Sequence, residues 1–195
     1  LKQAEAFLKE LGITESDSFL EDDKGSDESF KQVAILKKQI ESRAVYLLGM
    51  REHGAKELKT KLLTKFPETP ELLAECQEVS GLVSGLIDEV LLHCQKNNWQ
   101  SDERYIEQSV RNWAEKGSGP VKIRQKLRVA SNREDLISLY LDWSDDEWFE
   151  IAQTALIKKY GATYAECERN EQAKRMRFLQ SRGFTPNIIW KAFRI

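Results

Sequence analysis

Apolar residues recur at intervals of three and four along most of this 195-residue chain, which is the repeat of one face of an α-helix. Val33, Leu36, Ile40, Ala44, Leu47 and Leu48 trace such a face and predict a helix ending near His53-Gly54. A shorter helix follows through Leu58 and Leu62. After a loop at Phe66-Pro67, Thr69-Pro70-Glu71 restarts helix and Ser80-Gly81 interrupts it. Leu82, Leu86, Val90 and Cys94 then carry a further helix to Asn97-Asn98. Tyr105, Ile106, Ser109, Val110 and Trp113 form the next face, Ile123 and Leu127 the one after, and Leu136, Ile137, Leu139 and Tyr140 another. Trp148, Ile151, Ala152, Ala155, Leu156 and Lys159 make a helix ended by Tyr160-Gly161. A helix from about Glu171 to Arg182 stops at Gly183, and the last one turns Ile189 and Phe193 inward. No run alternates with a period of two, so no sheet is expected.

Polar residues mark the boundaries. Ser101 is a predicted N-cap, with Asp102 and Glu103 in the first turn, where acids suit the helix dipole. Pro70, Pro120 and Pro186 sit at expected first helical positions, where a missing N–H costs nothing. Lys116 and Gly117 close the helix before Pro120. Ser131-Asn132-Arg133-Glu134 and Ser144-Asp145-Asp146-Glu147 read as capping boxes. At the start, Ala4, Phe7, Leu8 and Leu11 predict a short amphipathic helix stopped by Gly12. Thr14 to Ser29, rich in Ser, Asp, Glu and Gly, reads as a linker.

The helices group in threes. Leu62, Leu127 and Leu179 each end the second helix of a group, at intervals of 65 and 52 residues, with the Phe66–Ser80 insertion accounting for the longer one. The expected architecture is all-α: an N-terminal helix and acidic linker over 1–31, then three tandem three-helix repeats over 32–98, 99–142 and 143–195. Units this small bury little core alone, so they should stack into an elongated, curved array.

Composition changes the picture mainly through charge. Hydrophobic content is 41% and charged content 32%, which suits a helical protein with much surface. The net charge is −2, yet residues 1–30 hold nine acids against three bases, leaving +4 for the rest. Cys76, Cys94 and Cys167 are an odd number without paired spacing, and no leader is visible, so a cytoplasmic, reducing compartment is expected. No apolar run approaches the ~20 residues that span a membrane.

Enzymatic chemistry finds little support. His53 and His93 are the only histidines, and no nucleophile set, phosphate loop or His-Glu-x-x-His pattern occurs. Cys76, His93 and Cys94 lack finger spacing, so neither metal nor cofactor is expected. The tryptophans, Trp99, Trp113, Trp148 and Trp190 among them, are expected in packing rather than base stacking. The recurring feature is a basic second helix. It carries Lys56, Lys59, Lys61 and Lys65 in the first unit, Lys122, Arg124, Lys126 and Arg128 in the second, and Lys174, Arg175, Arg177 and Arg182 in the third. Arg104 and Arg111, seven residues apart, share a side of their helix and extend the stripe. Arg124 and Arg128 flank buried positions, so their charged ends are expected in solvent on one side. Such a stripe suits DNA phosphates or an acidic protein surface; a solvated face is the plainer reading of any one helix.

These residues also carry a resemblance. Asp102-Glu103-Arg104-Tyr105, Arg111, and Lys116-Gly117-x-Gly119-Pro120-x-x-Ile123-Arg124-Gln125-x-Leu127 resemble the central signature of the RecX family. Arg51-Glu52-His53-x-x-x-Glu57-Leu58-x-x-Lys61-Leu62 resembles its first repeat, and Arg177-Phe178-Leu179-x-x-Arg182-Gly183-Phe184 its third. Ser118 stands where an aromatic is usual, and Asn98-Trp99 replaces a Gly-Tyr. The resemblance covers roughly Ala34 to the C-terminus. It implies a non-enzymatic, monomeric modulator that docks in the groove of the RecA–DNA filament, near or on its single-stranded DNA. There it would inhibit recombinase, ATPase and co-protease activities in DNA repair and the SOS response. The basic residues from Arg104 to Arg182 are then the expected contacts with RecA or DNA. A stand-alone helical nucleic-acid-binding module is the alternative.

Overall fold

In the computed structural model, residues 22–77, 80–162 and 167–193 are described. They form ten helices and no strand. In chain order these are α1 (Asp22–Met50), α2 (Ala55–Lys65), α3 (Pro70–Cys76), α4 (Leu82–Lys96), α5 (Asp102–Glu115), α6 (Pro120–Ala130), α7 (Glu134–Tyr140), α8 (Asp145–Tyr160), α9 (Arg169–Arg182) and α10 (Pro186–Lys191). The predicted helix over Leu1–Leu11 lies outside the described residues. The linker reading of Thr14–Ser29 needs correction over residues 22–29, where α1 already runs; residues 14–21 lie outside the described residues.

Local signals place most of the boundaries. The Ser101 hydroxyl accepts from Arg104 N, and Ser144 with Glu147 forms the full reciprocal box. Pro70, Pro120 and Pro186 open α3, α6 and α10. The predicted box at Ser131–Glu134 does not form. Ser131 Oγ instead donates to Asp102 Oδ2 at 2.6 Å and accepts from Arg133 N, while the Glu134 carboxylate turns to Arg124 and Arg128. Two tertiary partners outcompete the local motif.

Burial follows the helical faces. Leu36, Ile40, Ala44, Leu58, Leu62, Val83, Ile87 and Cys94 belong to one core, built from α1, α2 and α4. Ile106, Ile123, Leu127, Ile137, Trp148, Leu156, Leu179 and Ile188 belong to a second core that runs unbroken from α5 to α10. Leu62, Leu127 and Leu179 are all fully buried, as their shared position in the repeat predicts. Trp148 packs inside at 3% exposure, whereas Trp99 at 46% and Trp190 at 56% stand in solvent, contrary to the packing expected of them. Trp99 follows α4 in a turn that leaves its indole against His93, and α10 turns only Ile188 and Ile189 inward.

The units are joined end to end through their second helices. The N-caps of α2 and α6 are Gly54 and Gly119, neither of which has a side chain to cap with. The following unit supplies the cap. For α2, Asp102 Oδ1 accepts from Ala55 N at 2.7 Å, and Lys56 Nζ reaches the Arg128 carbonyl at 3.1 Å. For α6, Gly119 N donates to the Arg182 carbonyl at 2.8 Å and Val121 N to the Gly183 carbonyl at 3.1 Å. The positive end of one second helix therefore meets the negative end of the next, and groups that a helix leaves free satisfy one another. Both contacts demand glycine. A Cβ on Gly54 would overlap the Ala130 carbonyl, and one on Gly119 would lie 2.5 Å from Gly183 C and O and Phe184 N.

The first joint also holds His53, which is 2% exposed. Its Nδ1 lies 2.9 Å from the Arg51 carbonyl and its Nε2 3.0 Å from Lys61 Nζ. An ammonium can only donate, so Nε2 accepts and the proton sits on Nδ1: the ring is neutral. Burial lowers its pKa from the usual histidine value, the Arg51 carbonyl opposes that by raising it, and the Arg51 and Lys61 charges lower it further.

Two outcomes follow for stability. Gly119→Ala should destabilise by about 1–3 kcal/mol and lower the melting temperature by about 5 °C, because backbone lies in the way. Gly85→Ala, inside α4 with nothing within 4 Å of its Cβ, should instead gain about 0.5–1 kcal/mol; urea titration of both variants checks the contrast. His53 has a folded pKa below its unfolded one, so the unfolded chain binds the extra proton first. Stability should therefore fall as pH drops below about 6.5, and His53→Gln should flatten that part of the pH–stability curve.

Candidate functional site

The ten basic residues singled out in the sequence do not form one free stripe. Arg104 is committed to structure. Its Nε donates to Glu52 Oε1 at 2.8 Å, and its other nitrogens to Asn98 Oδ1 at 2.6 Å and the Asn98 and Trp99 carbonyls. The fork of a guanidinium suits such a clamp, which ties the end of α1 and the turn after α4 to α5. Arg111 does share its side of α5: both line one shallow pocket with Glu52, Glu107 and Glu115. Arg111 pairs with Glu107 at 2.7 Å, so charge on that side is balanced.

Arg124 and Arg128 are not free in solvent as expected. They converge on Glu134, Arg124 Nη1 at 2.6 Å from Oε1 and Arg128 Nε at 2.8 Å from Oε2. The Arg128 hydrogen bond, joined by that of Arg124, holds the Glu134 carboxyl below the usual range. This triad fastens α6 to α7. Reversing both arginines would set three carboxylates together, so that change tests packing rather than binding. On α9, Lys174 pairs with Glu171 at 3.3 Å, Arg177 Nε lies 3.4 Å from the Ala173 carbonyl, and the Arg175 guanidinium lies 5.0 Å from the centre of the Tyr160 ring.

Lys122, Lys126 and Arg182 do come together, and Lys116 joins them. Lys122 Nζ reaches the Ser181 carbonyl at 3.2 Å across the second joint, and Arg182 Nη1 lies 3.3 Å from the Lys116 carbonyl. Lys126 Nζ sits 4.7 Å from the centre of the Trp113 ring. Burial, followed by the charges of Lys122, Lys116 and Arg182, pushes the Lys126 pKa down. These four cations from two successive units thus feel one another, and none has a described carboxylate at ion-pair distance.

Beside this cluster lies a cleft of about 610 Å³ between the end of α5, α8 and α9. Lys116, Lys158, Lys159 and Arg182 stand at it, over Ile151 and Phe178. The sequence reading missed Lys158 and Lys159 because it followed second helices only, and these belong to the last turn of α8. Two adjacent lysines closing a long helix were the available signal.

No His, Cys, Asp or Glu group among the described residues is placed to hold a metal ion. Cys76 and Cys94 are buried, and His93 faces Glu41 at 3.0 Å. No described helix is long and apolar enough to cross a membrane.

Comparison with known proteins identifies the lineage. The family model described as RecX, third three-helix domain, matches residues 145–193, which span α8 to α10. The regulatory protein RecX of Legionella pneumophila is 33% identical over 151 residues, covering 77% of this chain and 90% of the relative. That of Vibrio vulnificus is 31% identical over 142 residues, covering 73% and 82%. The crystal structure of RecX from Lactobacillus salivarius superimposes with a TM-score of 0.64 at 20% identity, covering 83% of this chain and 96% of that one. With such relatives aligned over most of their own length, the chain belongs to the RecX family of regulatory proteins.

Proposed function

We propose that this protein modulates RecA by docking on the RecA–DNA filament and restraining its strand exchange, ATP turnover and co-protease action, without catalysis of its own. The protein works in DNA repair and the SOS response, in the cytoplasm and as a monomer. The units over 32–98, 99–142 and 143–195 serve as successive docking blocks. The observation that carries this reading is the gathering of Lys116, Lys122, Lys126 and Arg182 from two units at one joint, with no described carboxylate to neutralise them. Positive charge held this way attracts an anionic surface. RecA as its owner comes from the family. Lys122, Lys126 and Arg182 are the primary contacts. Arg111, Lys174, Arg175 and Arg177 widen the surface, and Arg104, Arg124 and Arg128 hold the scaffold that presents it.

The effect works by occupancy. A rigid row of helices laid along a filament bridges neighbouring subunits and blocks access to the DNA between them. With a net charge of −2 the chain has little general attraction for nucleic acid, so the filament, not bare DNA, is the preferred target.

The protein should bind RecA-coated single-stranded DNA more tightly than bare single-stranded DNA at two salt concentrations, and should slow filament ATP hydrolysis. Equal or tighter binding to bare DNA would favour the stand-alone nucleic-acid module. The double variant Lys122→Glu/Lys126→Glu should lose inhibition, while Lys96→Glu, away from the joint, should match the parent. Glu134→Gln uncovers Arg124 and Arg128 and should tighten filament binding at low salt, where screening is weakest.

A further inference from the structure

The cleft between the end of α5, α8 and α9 has a composition that the cationic joint alone does not explain. Its floor is apolar: Gly117, Ile151, Ala155 and Phe178 line it, and Thr154 stands exposed at its side. Its rim holds four cations, Lys116, Lys158, Lys159 and Arg182, against two acids, Glu115 and Glu150. Two of the cations are positioned against the floor. Lys159 Nζ lies 4.1 Å and the Arg182 guanidinium 5.2 Å from the centre of the Phe178 ring. No described carboxylate is within ion-pair distance of the four. At about 610 Å³ the cleft is in the size range of true binding sites.

We propose that this cleft receives a short acidic segment of the partner protein, with a bulky apolar side chain on its floor and flanking carboxylates on its lysine and arginine rim. The proposal rests on the reading that the chain acts by docking on a protein. Charge complementarity selects an anionic occupant. The floor then separates the anions. A nucleic acid could offer only a base to this floor, and the Phe178 ring it would stack on already has Lys159 and Arg182 packed against it. Glu115 and Glu150 would also repel a continuous run of phosphates. A peptide places its charges at intervals and brings Phe or Leu between them, and burying such a side chain supplies the affinity that rim charges lack. The pKa of Lys126, lowered by burial and by Lys122, Lys116 and Arg182, agrees with an excess of positive charge on this side.

The test uses the full chain and a fluorescent octapeptide with Phe-Leu at its centre and Glu on both sides. A control peptide carries Ser in place of Phe-Leu, and short oligodeoxythymidylate is the second competitor. Two variants report separately. Thr154→Trp fills the floor from an exposed helical position without touching the rim charges, and Lys158→Glu reverses one rim charge; circular dichroism and melting verify that both fold. The parent should bind the Phe-Leu peptide about tenfold more tightly than the control, with the oligonucleotide a poor competitor. Both variants should weaken that binding about tenfold and weaken inhibition of the RecA filament in parallel. Equal binding of the two peptides, preferential displacement by the oligonucleotide, or full filament inhibition by folded Thr154→Trp would each overturn the proposal. If the parent itself leaves RecA filaments untouched, the functional reading fails, while selective peptide binding lost in both variants would still uphold the cleft.

Discussion

The first two second helices, α2 and α6, each begin at a glycine that cannot cap them, and the next unit completes them. Gly119 N and Val121 N end on the carbonyls of Arg182 and Gly183, and Ala55 N ends on the Asp102 carboxylate. A helix start without partners leaves N–H groups whose burial costs free energy. Among the described residues it is the following unit that covers those ends. The same contact aligns the helix dipoles head to tail and excludes any side chain larger than hydrogen at Gly54 and Gly119. The order of the units and their direction follow from this one arrangement.

The two joints are built from different materials. At the first, polar groups converge. Asp102 accepts from Ala55 N, from Gln100 Nε2 at 2.9 Å and from Ser131 Oγ, and Arg104 reaches back to Glu52. The two apolar cores meet there without merging. At the second, the core continues from α5 through α10, so separating those units would expose buried side chains as well as hydrogen-bonding groups. The hydrophobic term therefore weighs on the second joint and geometry on the first.

Construction draws on the same charges that a sequence would assign to binding. Arg104, Arg124 and Arg128 each hold a carboxylate and a neighbouring element. Lys116, Lys122, Lys126 and Arg182 at the joint, and Lys158 and Lys159 at the cleft, have no described carboxylate at ion-pair distance. The use of Arg104, Arg124 and Arg128 follows the chemistry, since a planar fork suits a place where several acceptors are fixed around it.

The helices, their caps at Ser101 and Ser144, the prolines at helix starts and the threefold repeat of Leu62, Leu127 and Leu179 were determined by the sequence itself. All depend on residues a few positions apart, and the period of apolar residues and the reach of a capping side chain are local facts. The run of residues shared with the RecX family likewise sits in one stretch, Asp102 to Leu127. Only the tertiary structure decided which basic residues are tied to carboxylates of the fold and which have none at ion-pair distance among the described residues. Whether Arg124 meets solvent or Glu134, and whether Lys158 stands beside Arg182, depends on how α6, α7, α8 and α9 pack, and no spacing along the chain encodes that. It also decided that the Ser131 hydroxyl donates to the half-buried Asp102 carboxylate and that no capping box closes, because the Glu134 carboxylate the box needs is held by Arg124 and Arg128.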